Sequence, residues 1–175
     1  MSVVTGFPPI LGPDARVLIL GTLPSQMSLQ KNQYYGHPRN AFWPIMGELF
    51  GAAADLPYAT RTRLLLDNRI AVWDVLAASV RPGSLDASID LATAVANDFT
   101  ALFRERRGIS LVCFNGQAAA SLFRKNVAPM LERDSNTRDF RVLPSTSPAY
   151  ASMSFAEKLE RWKIIRAAAK NRRKR

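Results

Sequence analysis

Five short stretches of the chain concentrate amides, hydroxyls and aromatic rings: Gly21 to Ser25 (GTLPS), Tyr34 to Trp43 (YYGHPRNAFW), Arg81 to Asp86 (RPGSLD), Asn115-Gly116, and Pro144 to Ala149 (PSTSPA). The chemistry open to them is bounded by what is missing. There is no GxxxxGKS/T phosphate loop, no GxGxxG, no GxSxG nucleophile elbow and no Cys/His cluster with metal spacing. With one histidine and one cysteine in the chain, neither a zinc site nor a Cys/His dyad can be built, so no metal and no cofactor are expected. A site made of amides, hydroxyls, rings and backbone groups suits recognition of a flat heterocycle and hydrolysis of a bond that breaks by a dissociative route.

These stretches need a scaffold that brings them together. Four apolar runs rich in branched residues and bounded by turn formers read as buried strands: Val17 to Leu20, Ile70 to Leu76, Ile109 to Phe114 and Phe140 to Leu143. Helical character fills the intervals at Ala41 to Phe50, Arg61 to Asn68, Asn97 to Arg106 with Asn97 as N-cap, and Gln117 to Lys125. A last helix is expected from about Ser154 to Lys170, opened by a capping box of Ser154 and Glu157. The alternation predicts a three-layer α/β/α sandwich around a central, mainly parallel four-stranded sheet. Ligands of such sheets bind beyond the carboxyl ends of the strands, and the unusual stretches fall there.

The length of 175 residues, with 47% hydrophobic and 22% charged, suits one globular domain over 1–175. The longest apolar runs are about six to eight residues against the roughly 20 that span a bilayer, so no membrane helix is expected. The N-terminus lacks a basic then apolar signal pattern, which makes the cytoplasm the default location. Cys113, inside LVCFNG, is expected to be a buried core residue. The net charge of +10 is concentrated: residues 161–175 carry eight basic side chains and no acid. That basic end could touch phosphates without regard to base sequence, or could be a solvated helix end.

The series GTLPS, YYGHPRNAFW, FNG and PSTSPA, in that order from Gly21 to Ala149, resembles the uracil-DNA glycosylase superfamily, and among its branches the hypoxanthine-DNA (deoxyinosine) glycosylases. The mismatch-specific uracil/thymine glycosylases are similar at greater distance. Two positions depart from the other branches. Leu23 stands where they carry a water-positioning Asp or Asn, and Leu143 where the mismatch branch has Asn.

The resemblance implies a base-excision enzyme that flips a deaminated base, hypoxanthine with uracil as a second substrate, from double-stranded DNA and hydrolyses its bond to the sugar. It implies Asn40 as the catalytic residue that orients water, since the hypoxanthine branch uses the asparagine of the HPRN segment. Tyr35 aligns with the aromatic on which the flipped base stacks, and Tyr34 is the less favoured neighbour. Asn115 takes the base-reading position, with a donor and an acceptor on one side chain. Gly21 and Leu23, on the turn whose backbone N–H groups face the departing base, complete the base-binding set. Pro24, Ser25, Ser145, Thr146, Ser147 and Pro148 are expected to hold phosphates flanking the lesion or to enter the gap left by the base. A monomer acting without cofactor follows as the economical arrangement.

Simpler roles stand beside each of these. Asn40 precedes a helix and could cap it. Tyr35 could be an ordinary half-buried aromatic, Asn115-Gly116 a plain turn pair, and His37 a structural histidine. Phe42, Trp43 and Trp73 read as core, and RPGSLD as a self-bonded charged turn. Two other functions share the expected fold: a mismatch-specific uracil/thymine glycosylase, and a catalytically silent DNA-binding module, which Leu23 favours.

Overall fold

A computed structural model describes residues 2–131 and 138–171 of the chain. In chain order the elements are β1 (Val3–Thr5), β2 (Val17–Gly21), α1 (Gln26–Lys31), α2 (Phe42–Phe50), α3 (Tyr58–Asp67), β3 (Ile70–Asp74), β4 (Leu76–Val80), β5 (Val95–Ala96), α4 (Phe99–Glu105), β6 (Leu111–Asn115), α5 (Gln117–Asn126), β7 (Asp139–Leu143), α6 (Phe155–Trp162) and α7 (Ile164–Lys170). Four strands form a wholly parallel sheet in the order β3-β2-β6-β7, flanked by helices, as the alternating pattern predicts.

Burial on both faces explains why these strands are apolar without alternation. In β2, Val17 and Ile19 face Phe42, Ile45, Met46, Leu65, Trp162 and Ile165 from α2, α3, α6 and α7. Leu18 and Leu20 face Phe99, Phe103 and Phe123 from α4 and α5 on the other side. Cys113 lies in the first of these layers, fully buried. Trp162 is also fully buried, with its ring edge-on to Phe42. Truncating such a residue to alanine costs about 3–5 kcal/mol through lost transfer energy and the cavity left behind.

Several expectations need correction. The run Ile70 to Leu76 is two strands: β3 stops at Asp74, and after Val75 the chain enters β4 of a second sheet, β1-β4-β5, which is antiparallel. The cap of α4 is Asp98, whose side chain accepts from Ala101 N–H at 3.0 Å, while Asn97 instead donates to the Asp74 carbonyl at 2.8 Å. The capping box of Ser154 and Glu157 is present, but the helix it opens divides at Lys163 into α6 and α7. Helix α1 was not foreseen. The basic residues 161–170 lie on α6 and α7 or between them, and 172–175 fall outside the described residues. Among the described residues no helix is long and apolar enough to cross a membrane.

Candidate active site

The register of the parallel sheet brings its carboxyl ends level. Gly21 pairs with Asp74, Leu20 with Phe114, and Asn115 with Leu143. From β2 the chain builds β3 on one side and β6 on the other, so the crevice expected at a topological switch lies between Gly21 and Asn115. A cavity of about 520 Å³ opens there. Tyr35, Asn40 and Asn115, far apart in sequence, all line it, as do Gly21 and Leu23. Pro24, Ser25, Ser145, Thr146, Ser147 and Pro148 border the same cavity.

Tyr35 adopts a left-handed backbone conformation with φ 54°, which costs a non-glycine residue about 1–3 kcal/mol unless its surroundings impose it. They do so. Tyr34 is buried, its hydroxyl donates to Pro8 O at 2.8 Å, and Trp43 Nε1 donates to Tyr34 O at 2.8 Å. Gly36 N–H donates to Ser28 Oγ at 3.0 Å on the other side. Between these anchors the Tyr35 ring stacks on Phe42 with centroids 4.0 Å apart and planes 23° apart. Its phenol oxygen lies beside the Asn115 amide yet makes no hydrogen bond to the protein. Burial, with Asp74 nearby, drives its pKa upward, so it stays a neutral donor.

Asn40 borders the cavity, and its Oδ1 accepts from Phe42 N–H at 2.9 Å, a turn contact that leads into α2; the N-cap itself is Ala41, which makes no side-chain cap. Ala41 N–H donates to Thr146 O at 2.9 Å, tying this segment to the one after β7. His37 accepts through Nδ1 from Arg39 N–H at 3.1 Å, a turn contact.

Asn115 is buried, and both ends of its amide meet Thr146. Gly116 has φ 95°, and a Cβ there would come within 3.0 Å of Ser145 Cβ, so the loops after β6 and β7 can close only over glycine. Two of the residues expected at phosphates already have partners within the protein. Thr146 is 1% exposed with its N–H, Oγ1 and carbonyl all engaged, so it braces the site and does not reach solvent. The Ser25 side chain is the N-cap of α1, accepting from Ser28 N–H at 3.1 Å. Ser145 and Ser147 support the turn that follows, accepting from Ser147 N–H and Ala149 N–H, both at 3.2 Å. Beyond Pro148, Tyr150 stands at the rim, 39% exposed, with its carbonyl held by Lys158 Nζ at 2.7 Å.

Two charged groups also line the cavity: Asp74, which was not singled out from sequence, and Arg81 of the RPGSLD stretch. Asp74, 4% exposed, closes β3 beside Gly21, and no hydrogen bond reaches its Oδ2. Desolvation pushes its pKa up to about 7, against a smaller opposing pull from Arg81. Arg81 is buried, donates to the carbonyls of Leu23 and Pro24, and faces Asp86 at 3.9 Å. Thr22 Oγ1 donates to Asp86 at 2.6 Å and Gln26 N–H to Ser84 Oγ at 3.0 Å, so the RPGSLD loop forms a cavity wall stitched to GTLPS. A lone acid in an apolar strand was the available signal for Asp74.

Comparison with known proteins gives a consistent picture. The family model described as uracil DNA glycosylase superfamily matches residues 8–168. The chain is 37% identical over 161 residues to a hypoxanthine DNA glycosylase of Methanosarcina acetivorans, covering 91% of this chain and 96% of that protein. It is 39% identical over 113 residues to a hypoxanthine DNA glycosylase of Methanosarcina barkeri, covering 64% and 70%. Among solved structures, it superposes on the solution NMR structure of a candidate uracil DNA glycosylase of Methanosarcina acetivorans. The TM-score is 0.77 and the identity 34%, with 95% and 99% of the two chains covered.

Proposed function

The chain belongs to the uracil-DNA glycosylase superfamily, and from that premise we propose that it is a monofunctional DNA N-glycosylase: it flips a deaminated base, hypoxanthine first and uracil second, out of double-stranded DNA and hydrolyses its bond to the sugar. The observation that carries this reading is the convergence of Tyr35, Asn40 and Asn115 on one cavity at the carboxyl ends of the sheet.

Extruding a nucleotide costs a few kcal/mol, least for a damaged or mispaired base. The flipped base enters the cavity and stacks on the face of Tyr35 turned away from Phe42, an interaction worth about 1–3 kcal/mol. The remaining Asn115 Nδ2 hydrogen and Oδ1 lone pair serve the base edge. Tyr150, an exposed ring on an anchored loop, fills the space left in the duplex.

As the bond from sugar to base breaks, positive charge develops on the sugar and negative charge on the base. The N–H groups of Thr22 and Leu23, which meet no protein acceptor among the described residues, are fixed donors for that charge. Asn40 orients the attacking water through Oδ1, whose direction Phe42 N–H already fixes. A neutral amide is a very poor base, so the rate is modest. The motif loops contain no lysine, so water is the nucleophile and an abasic site the product. The protein acts as one domain, a monomer in the cytoplasm, with the basic residues from 161 onward on DNA phosphates.

The test is incubation with labelled duplexes containing hypoxanthine or uracil, followed by alkaline cleavage of abasic sites. Strand cutting for hypoxanthine is expected; a folded protein inert on both bases ends the reading.

A further inference from the structure

We propose that Asp74 is a second base-edge reader of this cavity beside Asn115: a carboxyl group presenting an O–H donor and a C=O acceptor to the –NH–C(=O)– edge that hypoxanthine and uracil share. The inference rests on the glycosylase reading and adds to it a residue that sets base choice.

The geometry comes first. Asp74 closes β3 directly opposite Gly21, the last residue of β2, is buried, and lines the cavity. A Cβ on Gly21 would come within 2.6 Å of Asp74 Oδ1 and 3.0 Å of the Tyr35 hydroxyl, so both polar ends lean over a surface kept bare by glycine. Buried polar atoms without partners are rare, and each calls for an explanation. Here three belong to residues of one cavity: Asp74 Oδ2, the Tyr35 hydroxyl and Arg81 Nε. A planar polar ligand toward which the Asp74 carboxyl and the Tyr35 phenol turn accounts for the first two. Asp74 is 4% exposed whereas Asn40 is only half-buried, so we assign the base to the first and the sugar and its water to the second.

The protonation state follows from the surroundings. Burial favours the neutral acid, with a pKa of about 7. The charged and titratable groups facing it are Arg81 after β4, Asp86 in the following loop, and the phenols of Tyr34 and Tyr35; β2 contributes no ionisable side chain. A neutral carboxyl donates to the carbonyl oxygen of the base and accepts from the adjacent N–H. Its rotation about Cβ–Cγ is soft enough to turn either oxygen to the ligand. The hydrogen bond donated by the carboxyl O–H strengthens as the departing base gains negative charge. An ionised carboxylate has no donor and repels that charge.

The experiment is single-turnover excision of hypoxanthine between about pH 5.5 and about pH 9, a range that brackets the titration, with wild type, Asp74→Asn and Asp74→Leu. The wild-type rate is expected to fall about tenfold per pH unit above about pH 7. Asp74→Asn keeps a donor and an acceptor but cannot ionise, so it should stay within about tenfold of wild type at neutral pH and lose that decline. Asp74→Leu should lose about 100-fold or more at every pH, yet bind a duplex carrying a stable abasic-site analogue as wild type does. A cooperative melting transition and analogue binding in both variants establish that they fold. A wild-type rate that rises through pH 7, with Asp74→Asn inactive, would identify a general base and overturn the proposal. So would an Asp74→Leu variant that excises normally. Wild type inert on hypoxanthine and uracil at every pH is a different result, which removes the glycosylase reading and this one with it.

Discussion

Asn115 clasps Thr146 with both ends of its carboxamide: Nδ2 donates to Thr146 Oγ1 at 2.9 Å, and Oδ1 accepts from Thr146 N–H at 2.9 Å. The clasp joins the end of β6 to the loop after β7, and through Thr146 O to the segment carrying Asn40. An amide held this way cannot flip, so its remaining hydrogen and lone pair point in set directions.

Thr146→Val keeps the N–H contact but strands a buried Nδ2 hydrogen, at a cost of about 1–3 kcal/mol. Urea unfolding should register that loss, and hypoxanthine excision should drop about tenfold as the Asn115 amide loses its orientation. Unchanged stability and rate together would deny the clasp any part in the site.

Asn40→Ala separates the two jobs of that side chain. Losing the contact to Phe42 N–H should cost about 1 kcal/mol of stability. Losing the water-orienting oxygen should lower excision about 100-fold or more, with DNA binding nearly kept. If the rate falls no more than stability explains, Asn40 is a turn contact and nothing else.

Gly21→Ala tests the floor of the slot. The added methyl would press on Asp74 Oδ1 and the Tyr35 hydroxyl, so both groups must shift. Overpacking of this kind costs about 1–3 kcal/mol. Excision should fall further than stability, and binding to abasic-site DNA, which brings no base, should survive. Equal loss of excision and of abasic-site binding would point to a collapsed fold instead.

These residues also mark how far the sequence could be read. The parallel sheet was legible because β2, β3 and β6 are buried on both faces, and such strands are apolar throughout. Tyr35, Asn40 and Asn115 were legible because each sits in a motif next to a strand or helix end. Asp74 was not: it lies inside IAVWDVL, an unbroken pattern that conceals the point where β3 yields to β4. That boundary is set by tertiary pairing, Gly21 opposite Asp74 in one sheet and Val3 opposite Val80 in the other. Strands β1 and β5, of three and two residues, are too short for any period to show. The break at Lys163 has no proline or glycine to announce it.

Tyr35→Phe removes a buried hydroxyl that makes no hydrogen bond to the protein. With its desolvation cost gone, the variant should be about 1 kcal/mol more stable in the absence of DNA. The stacking face is unchanged, so excision should fall by less than about tenfold. A stability loss on thermal denaturation would mean that the hydroxyl is satisfied in free protein.

Asp74 should also leave its mark on folding stability. The folded chain holds its proton up to about pH 7, against an ordinary value of 3.8 for the exposed group. Below about pH 4 both states are protonated and the side chain costs little. As pH rises from about 4 to about 7 the unfolded chain ionises while the folded one does not, so stability is lost over that window. Above it the full penalty, on the order of 4 kcal/mol, is in place. Asp74→Asn cannot titrate, so its stability relative to wild type should climb between about pH 4 and about pH 7 and then level off. The comparison uses the pH slope, because the new amide brings a constant cost of its own. Parallel stability curves for the two proteins in urea across that window would mean that Asp74 ionises at its ordinary pH in the folded chain.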